Sequence, residues 1–332
     1  MKAVKLLGNK KAITVDVPMP VVKDGYCLIK VAESGICGTD LELLFNSKDE
    51  VKYIPGHEVV GTVVEKNNVD EFKIGDRVLV NMHISCMKCK YCKREKRIFC
   101  KQLKVIGFDL DGSDAEYIAL PKMCLIKIPD DISFDQALLL TDALGTPYAA
   151  AKKANIQPND NVAVIGIGPL GLMCCLCAKY FGGKLFAIDV VPKRLQQASD
   201  FGIEHIVDPN SDDINAIVGK FTIDGFDIVI ECSGSAKGVK SAFKYIRPEG
   251  KVIQVGVCPS VQINTYDEWI AKEITIIGSR GYVDSQVGEI ADFIRKTPYI
   301  TKAITHRFPL DKAQEAFETA DSKSGIKVIF TP

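Results

Sequence analysis

Residues 161–171 read Asn-Val-Ala-Val-Ile-Gly-Ile-Gly-Pro-Leu-Gly, and residues 172–183 continue LMCCLCAKYFGG. The apolar run 162–165 suits a buried strand, and the stretch after Gly171 has helical composition. A lone G-x-G-x-x-G is weak. Here Gly166, Gly168 and Gly171 stand between strand and helix, and Asp189 closes the next apolar run, KLFAI, 23 residues after Gly166. That context is a dinucleotide-binding fingerprint. The glycines let the backbone approach a pyrophosphate, the helix N-terminus meets its charge, and the carboxylate accepts hydrogen bonds from ribose hydroxyls.

Working outward towards the C-terminus, strand and helix patterns keep alternating: HIVD, INAIVGKF, DIVIECSG, AKGVKSAFKYI, KVIQVG and EITIIGS. Six strands with helices between them predict a doubly wound parallel sheet, an α/β class. Cys174, Cys175 and Cys177 occupy nearly consecutive helical positions and cannot all face one ion, so they are expected in the core. Cys232 and Cys258 follow strands and are expected to pack near the coenzyme. After Gly278 come the helix VGEIADFIRKT and the tail ITHRFPLDKAQEAFETADSKSGIKVIF. His205 and His306 sit at apolar strands, in structural roles.

Working towards the N-terminus, the pattern changes. SFDQALLLTDALGTPYAAAKKA reads as one helix, with Ser133 as its N-cap. Before it, AVKLL, AITVDV, YCLIKVAESG, HEVVGTVVEK and DRVLVN are Val- and Ile-rich runs broken by Gly, Pro, Asn and Asp. They predict a β-rich, barrel-like domain. A turn or two of helix around 40–45 is the exception. Between two of these strands lies Gly35 to Gly61, GICGTDLELLFNSKDEVKYIPGHEVVG. Cys37, His57 and nearby carboxylates are the donors a zinc ion with an open position uses. Thr39 adds a proton-carrying hydroxyl, and Asp40 suits the second nitrogen of His57. Cys86, Cys89, Cys92 and Cys100, in a lysine-rich lobe (83–101), have the spacing of a closed tetrahedral zinc site. The last gap is too long for the bacterial iron–sulfur run, and no Pro follows.

Gly35-Ile36-Cys37-Gly38-Thr39-Asp40, then Pro55-Gly56-His57-Glu58, the four-cysteine lobe and the glycine fingerprint together resemble the zinc-dependent medium-chain alcohol dehydrogenases over the whole chain. The resemblance implies a β-rich GroES-like catalytic domain (1–139), a Rossmann NAD-binding domain (140–279) and a return to the first domain (280–332). It implies two zinc ions per chain, NAD, and hydride transfer from an alcohol, expected to be a secondary alcohol or polyol. Thr39, Asp40 and Glu42 would be catalytic; many family members have a His where Glu42 stands, so the proton's exit is open. Gly166, Gly168, Pro169, Leu170, Gly171, Asp189, Arg194, Val255 and Lys327 would contact coenzyme. Lys327 has a rival reading as a solvated lysine on an edge strand. Members with two cysteine ligands place one at the helix joining the domains, where this chain has Asp142. Asp142 is therefore the third candidate ligand, its rival role a helix cap. Glu58 either completes the set or lies just behind the metal.

Alternatives are a zinc-independent reductase of the wider family and a non-catalytic dinucleotide-binding protein. The 332 residues carry 42 Lys and Arg against 42 Asp and Glu, which recommends neither nucleic acid nor an anionic membrane as partner. The N-terminus lacks the apolar run of a secretory signal, and the 12 cysteines are spread through a large chain. A cytoplasmic setting is expected, with a small-molecule substrate and a homo-oligomer, dimer or tetramer.

Overall fold

The computed structural model describes residues 1–322 and 325–332. The chain divides into two compact units, one of residues 1–143 and 283–332, the other of 144–282. A boundary at 140 would have put Asp142 in the coenzyme domain; it falls in the first unit.

The first unit holds the five N-terminal strands read from the sequence: Lys2–Leu6, Ala12–Asp16, Tyr26–Ile36, Glu58–Asn67 and Arg77–Val80. The first two pair with each other. The other three join a seven-stranded sheet in the order Ile304–Phe308, Lys327–Phe330, Tyr26–Ile36, Glu58–Asn67, Arg77–Val80, Leu125–Lys127, with Tyr117–Pro121 also on Tyr26–Ile36. The C-terminal tail thus supplies two strands of the N-terminal sheet. Alternation drives the packing: Cys27, Ile29 and Val31 point into a core shared with Val59, Val63 and Val78. The pairing with Glu58–Asn67 slips between Val31 and Glu33. Such a bulge bends a strand and re-aims its side chains. Beyond it, Gly35 lies opposite Glu58, and the strand ends one residue before Cys37.

The second unit is a six-stranded parallel sheet in the order His205–Val207, Lys184–Ile188, Asn161–Ile165, Phe226–Glu231, Ile246–Gln254, Thr275–Gly278. Helices Pro169–Tyr180, Pro192–Asp200, Ile214–Phe221 and Ala236–Tyr245 connect the strands as expected. Ala163, Phe186, Phe226 and Val229 are fully buried between them. Strand order reverses beside Asn161–Ile165, the topological switch point where doubly wound sheets bind ligands.

One element differs from its reading. The helix from Phe134 is two helices, Phe134–Leu139 and Asp142–Ala154. Ser133 caps the first, accepting from Gln136 N while the Gln136 side chain accepts from Ser133 N. At its end the Thr141 hydroxyl donates to Leu138 O at 2.6 Å, occupying a terminal carbonyl. Alanine and leucine propensity favours helix on both sides of the break and cannot register such a local bond. Among the described residues no helix is long and apolar enough to cross a membrane.

Candidate active site

Asp40 is the hinge of the metal-like centre. It opens a short π-helix, Asp40–Phe45, whose Leu44 and Phe45 are buried while Glu42 faces solvent. The Asp40 carboxylate is fully buried. One oxygen lies 3.1 Å from His57 Nδ1, and the other accepts from Cys37 N at 2.9 Å. One side chain therefore orients both the imidazole and the cysteine. Holding Nδ1 leaves Nε2 as the nitrogen free to ligate. Burial works against a charge on His57, but Asp40 first and then the Cys37 thiol override it and lift its pKa well above the usual value. The surroundings thus favour positive charge on the imidazole. The Phe108 ring packs against the imidazole, with centroids 5.4 Å apart.

Cys37, His57, Glu58 and Asp142 each offer a ligand atom, and the four atoms lie within 4.8 Å of one another. Asp142 is itself the first residue of its helix, one place beyond where an N-cap sits. Glu58 is almost fully buried, and its carboxylate pairs with the Lys327 ammonium. Burial pushes Glu58 up, opposed by Lys327 and His57 and reinforced by Asp142. For Lys327 burial pulls down and Glu58 pulls up, leaving it raised. The solvated, edge-strand reading of Lys327 is wrong: its strand lies between two others, the residue is 6 % exposed, and Nζ also donates to Ile36 O at 3.2 Å. A Cβ on Gly35 would fall 2.6 Å from Glu58 Oε2 and 2.9 Å from Lys327 Cε, so only glycine leaves room for this pair.

Thr39 precedes the π-helix without capping it, and its half-buried hydroxyl has no partner among the described residues. It is uncommitted, as a proton relay requires. Glu42 is exposed and likewise unpartnered among the described residues.

The cysteine lobe forms a second cluster. The four Sγ atoms of Cys86, Cys89, Cys92 and Cys100 lie within 4.8 Å of one another. Backbone N–H groups of Lys88 and Cys89 hold the Cys86 thiol down at about 6. Cys86 N and Gln102 N point at Cys100 Sγ, at 3.5 and 3.4 Å. A backbone that donates to sulfur is built for thiolates, the ligating form.

In the second unit, Gly166 has φ +88°, and a Cβ on Gly171 would lie 1.8 Å from Gly166 O. Glycine at both places is what lets the turn close against the helix that Pro169 opens. Nothing lies within 4 Å of a Cβ on Gly168, so that side of the turn is open. Asp189 is 6 % exposed at the end of its strand. Its oxygens accept from Ile167 N at 2.6 Å and Val191 N at 2.9 Å, with Arg194 Nη1 at 3.4 Å. Cys174, Cys175 and Cys177 are buried in the core. Cys232 Sγ lies 3.6 Å from Cys174 Sγ, packed against the turn.

A "Zinc-binding dehydrogenase" family model matches residues 169–296, and an "Alcohol dehydrogenase GroES-like domain" model matches residues 23–130. The chain belongs to the zinc-dependent medium-chain alcohol dehydrogenases. It is 31 % identical over 341 residues to an L-threonine 3-dehydrogenase of Yersinia pestis, covering 100 % of this chain and 99 % of that one. An alcohol dehydrogenase from Thermus sp. ATN1 superposes with a TM-score of 0.92 at 29 % identity, over 100 % and 99 % of the two chains. For 2R,3R-butanediol dehydrogenase from Bacillus subtilis the TM-score is 0.88 at 27 % identity, with the same coverage. As a member of this family the protein is an oxidoreductase acting on CH–OH groups, and the family implies zinc and a nicotinamide coenzyme.

The sequence left three features of the centre unseen. These are the Glu58–Lys327 pair, Phe108 against His57, and Asp114, which is fully buried behind Gly56. Gly35 was the one available signal for the pair, since glycine inside a strand marks close approach.

Proposed function

We propose that the protein oxidises a secondary alcohol or polyol with NAD, using one catalytic zinc and a second, structural zinc in each chain. The observation that carries this is the convergence of Cys37, His57, Glu58 and Asp142 on one point. One thiolate, one imidazole and carboxylates suit zinc, and carboxylates in place of a second thiolate make the ion more electropositive. Two relatives are named for secondary hydroxyls, the 3-hydroxyl of L-threonine and a butane-2,3-diol.

Zinc, when bound, would supply Lewis acidity to the substrate oxygen, and NAD would accept the hydride. The chain's own residues do the rest. Asp40 fixes the two ligands it touches. Thr39 takes the alcohol proton, and Glu42 or water carries it to solvent. Gly166, Gly168, Pro169, Leu170 and Gly171 cradle the pyrophosphate, Asp189 accepts from the adenosine ribose with Arg194 at its edge, and Val255 follows a strand end near the switch point. Lys327, which the family likeness would set against the coenzyme phosphates, is instead buried on Glu58 and acts by holding that carboxylate. We take the substrate as a small molecule, the assembly as a homo-oligomer and the setting as cytoplasmic.

The test is Asp142→Ala. Metal analysis of wild type should give two zinc ions per chain, and of the variant one, with turnover abolished and NADH still bound. Two ions and normal turnover in the variant would remove Asp142 from the centre. A single ion in wild type would favour the zinc-independent reading.

A further inference from the structure

We infer that Asp114 is a positioning residue for the metal centre. Through Ser34 it locks the strand that delivers Cys37 to the loop that delivers His57 and Glu58. The inference rests on the reading of those residues as a zinc site.

Asp114 and Ser34 are both fully buried. Ser34 Oγ donates to Asp114 Oδ1 at 2.6 Å, so its contact with Ser113 Oγ at 2.7 Å must be one it accepts. Ser34 lies on the strand Tyr26–Ile36, just ahead of Cys37. On the other side, the segment of Asp114 runs along the loop before His57. Gly112 N donates to Ile54 O at 2.7 Å, Ser113 N to Gly56 O at 3.0 Å and Asp114 N to Pro55 O at 3.0 Å. Gly56 sits at φ +95°, and a Cβ there would fall 2.4 Å from Asp114 Oδ1, so the loop closes directly on the carboxyl. Asp114 therefore touches both arms of the centre: its carboxyl accepts from Ser34 and lies against Gly56, and its N–H donates to Pro55 O.

Its retention has a cost. Asp114 Oδ2 is buried with no partner among the described residues. An apolar side chain of similar volume would avoid that penalty. A buried polar group kept at a cost is best attested where it fixes register, and here the register is the approach of Cys37 to His57.

The experiment measures zinc release to a chromophoric chelator from the zinc-loaded wild type and from Ser34→Ala, Asp114→Asn, Asp114→Leu and the double variant Ser34→Ala/Asp114→Leu. Asp114→Asn keeps the acceptor and should match wild type. Ser34→Ala and Asp114→Leu should lose one of the two zinc ions on the order of 10-fold faster, with the other ion's release and NADH affinity unchanged. The double variant, which has no unpaired carboxyl, should still lose that ion fast. If it returns to the wild-type rate, or if both ions loosen together with the melting temperature, Asp114 is a packing residue and the inference falls. Unchanged release in both single variants overturns it alone. A wild type holding a single zinc would overturn the metal reading and this inference together.

Discussion

At the scale of single residues, the centre was legible wherever chemistry is tied to a local motif. Cys37, Thr39, Asp40, His57 and Glu58 lie in two short runs, and the bond from Asp40 to His57 has the geometry their spacing suggested. Contacts between distant residues were not legible. Nothing in the sequence says that Lys327 reaches back to Glu58, because sheet order decides that. Two predictions belong here. Asp189 should exclude a 2′-phosphate: its carboxylate is held by Ile167 N and Val191 N in a nearly closed place, and like charges brought together there cost several kcal/mol. Arg194 at 3.4 Å offsets part of that. The ratio of kcat/KM for NAD over NADP should be on the order of 10² or more; near parity would contradict the assignment. Thr39→Val tests the relay. Its hydroxyl caps nothing, so stability should hardly change, while alcohol oxidation slows on the order of 10²-fold with zinc retained. An unchanged kcat would place the proton's route elsewhere.

At the scale of elements, hydrophobic period located the strands, because each buries one face or both against a continuous core. It could not locate the break in the helix after Ser133, which depends on a side chain capturing a carbonyl. Nor could it tell that the turn or two of helix at Asp40–Phe45 is a π-helix. The cysteine lobe is the element whose spacing said most, since its four cysteines are nearly contiguous. Few apolar side chains order the segment from Cys86 to Cys100: Met87 and Phe99 are exposed, and its regular structure is two single turns. Its order should therefore come from the metal. Cys89→Ser should lower the melting temperature and the soluble yield and cost one zinc ion. Cys37→Ser should cost one ion without that loss of stability. Equal melting temperatures for the two variants would mean that the lobe holds its shape without zinc.

At the scale of the molecule, the division into two units and the parallel sheet followed from where β patterns give way to alternating strand and helix. What the sequence did not reveal is how the tail is fastened to the first unit. Arg307, on the tail strand Ile304–Phe308, donates to Glu33 at 3.1 Å and to Asp135 at 2.5 Å, joining three segments far apart in the chain. Burial first, then the hydrogen bond and charge of Asp135, push Glu33 up to about 7 from 4.5, against the pull of Arg307. Asp135 moves the other way. An acid whose folded pKa is raised favours the fold while both states hold the proton. That advantage is lost as the unfolded chain ionises above 4.5 and the fold follows only near 7. Stability from Glu33 should thus fall between about pH 4.5 and 7, by roughly 3 kcal/mol for a shift of this size. Glu33→Gln keeps the shape and the acceptor for Arg307 without the ionisation. It should melt above wild type at pH 8, and the gain should shrink steadily towards pH 5. A gain that is the same at both pH values would mean that Glu33 keeps an ordinary pKa and meets Arg307 as a carboxylate throughout that range.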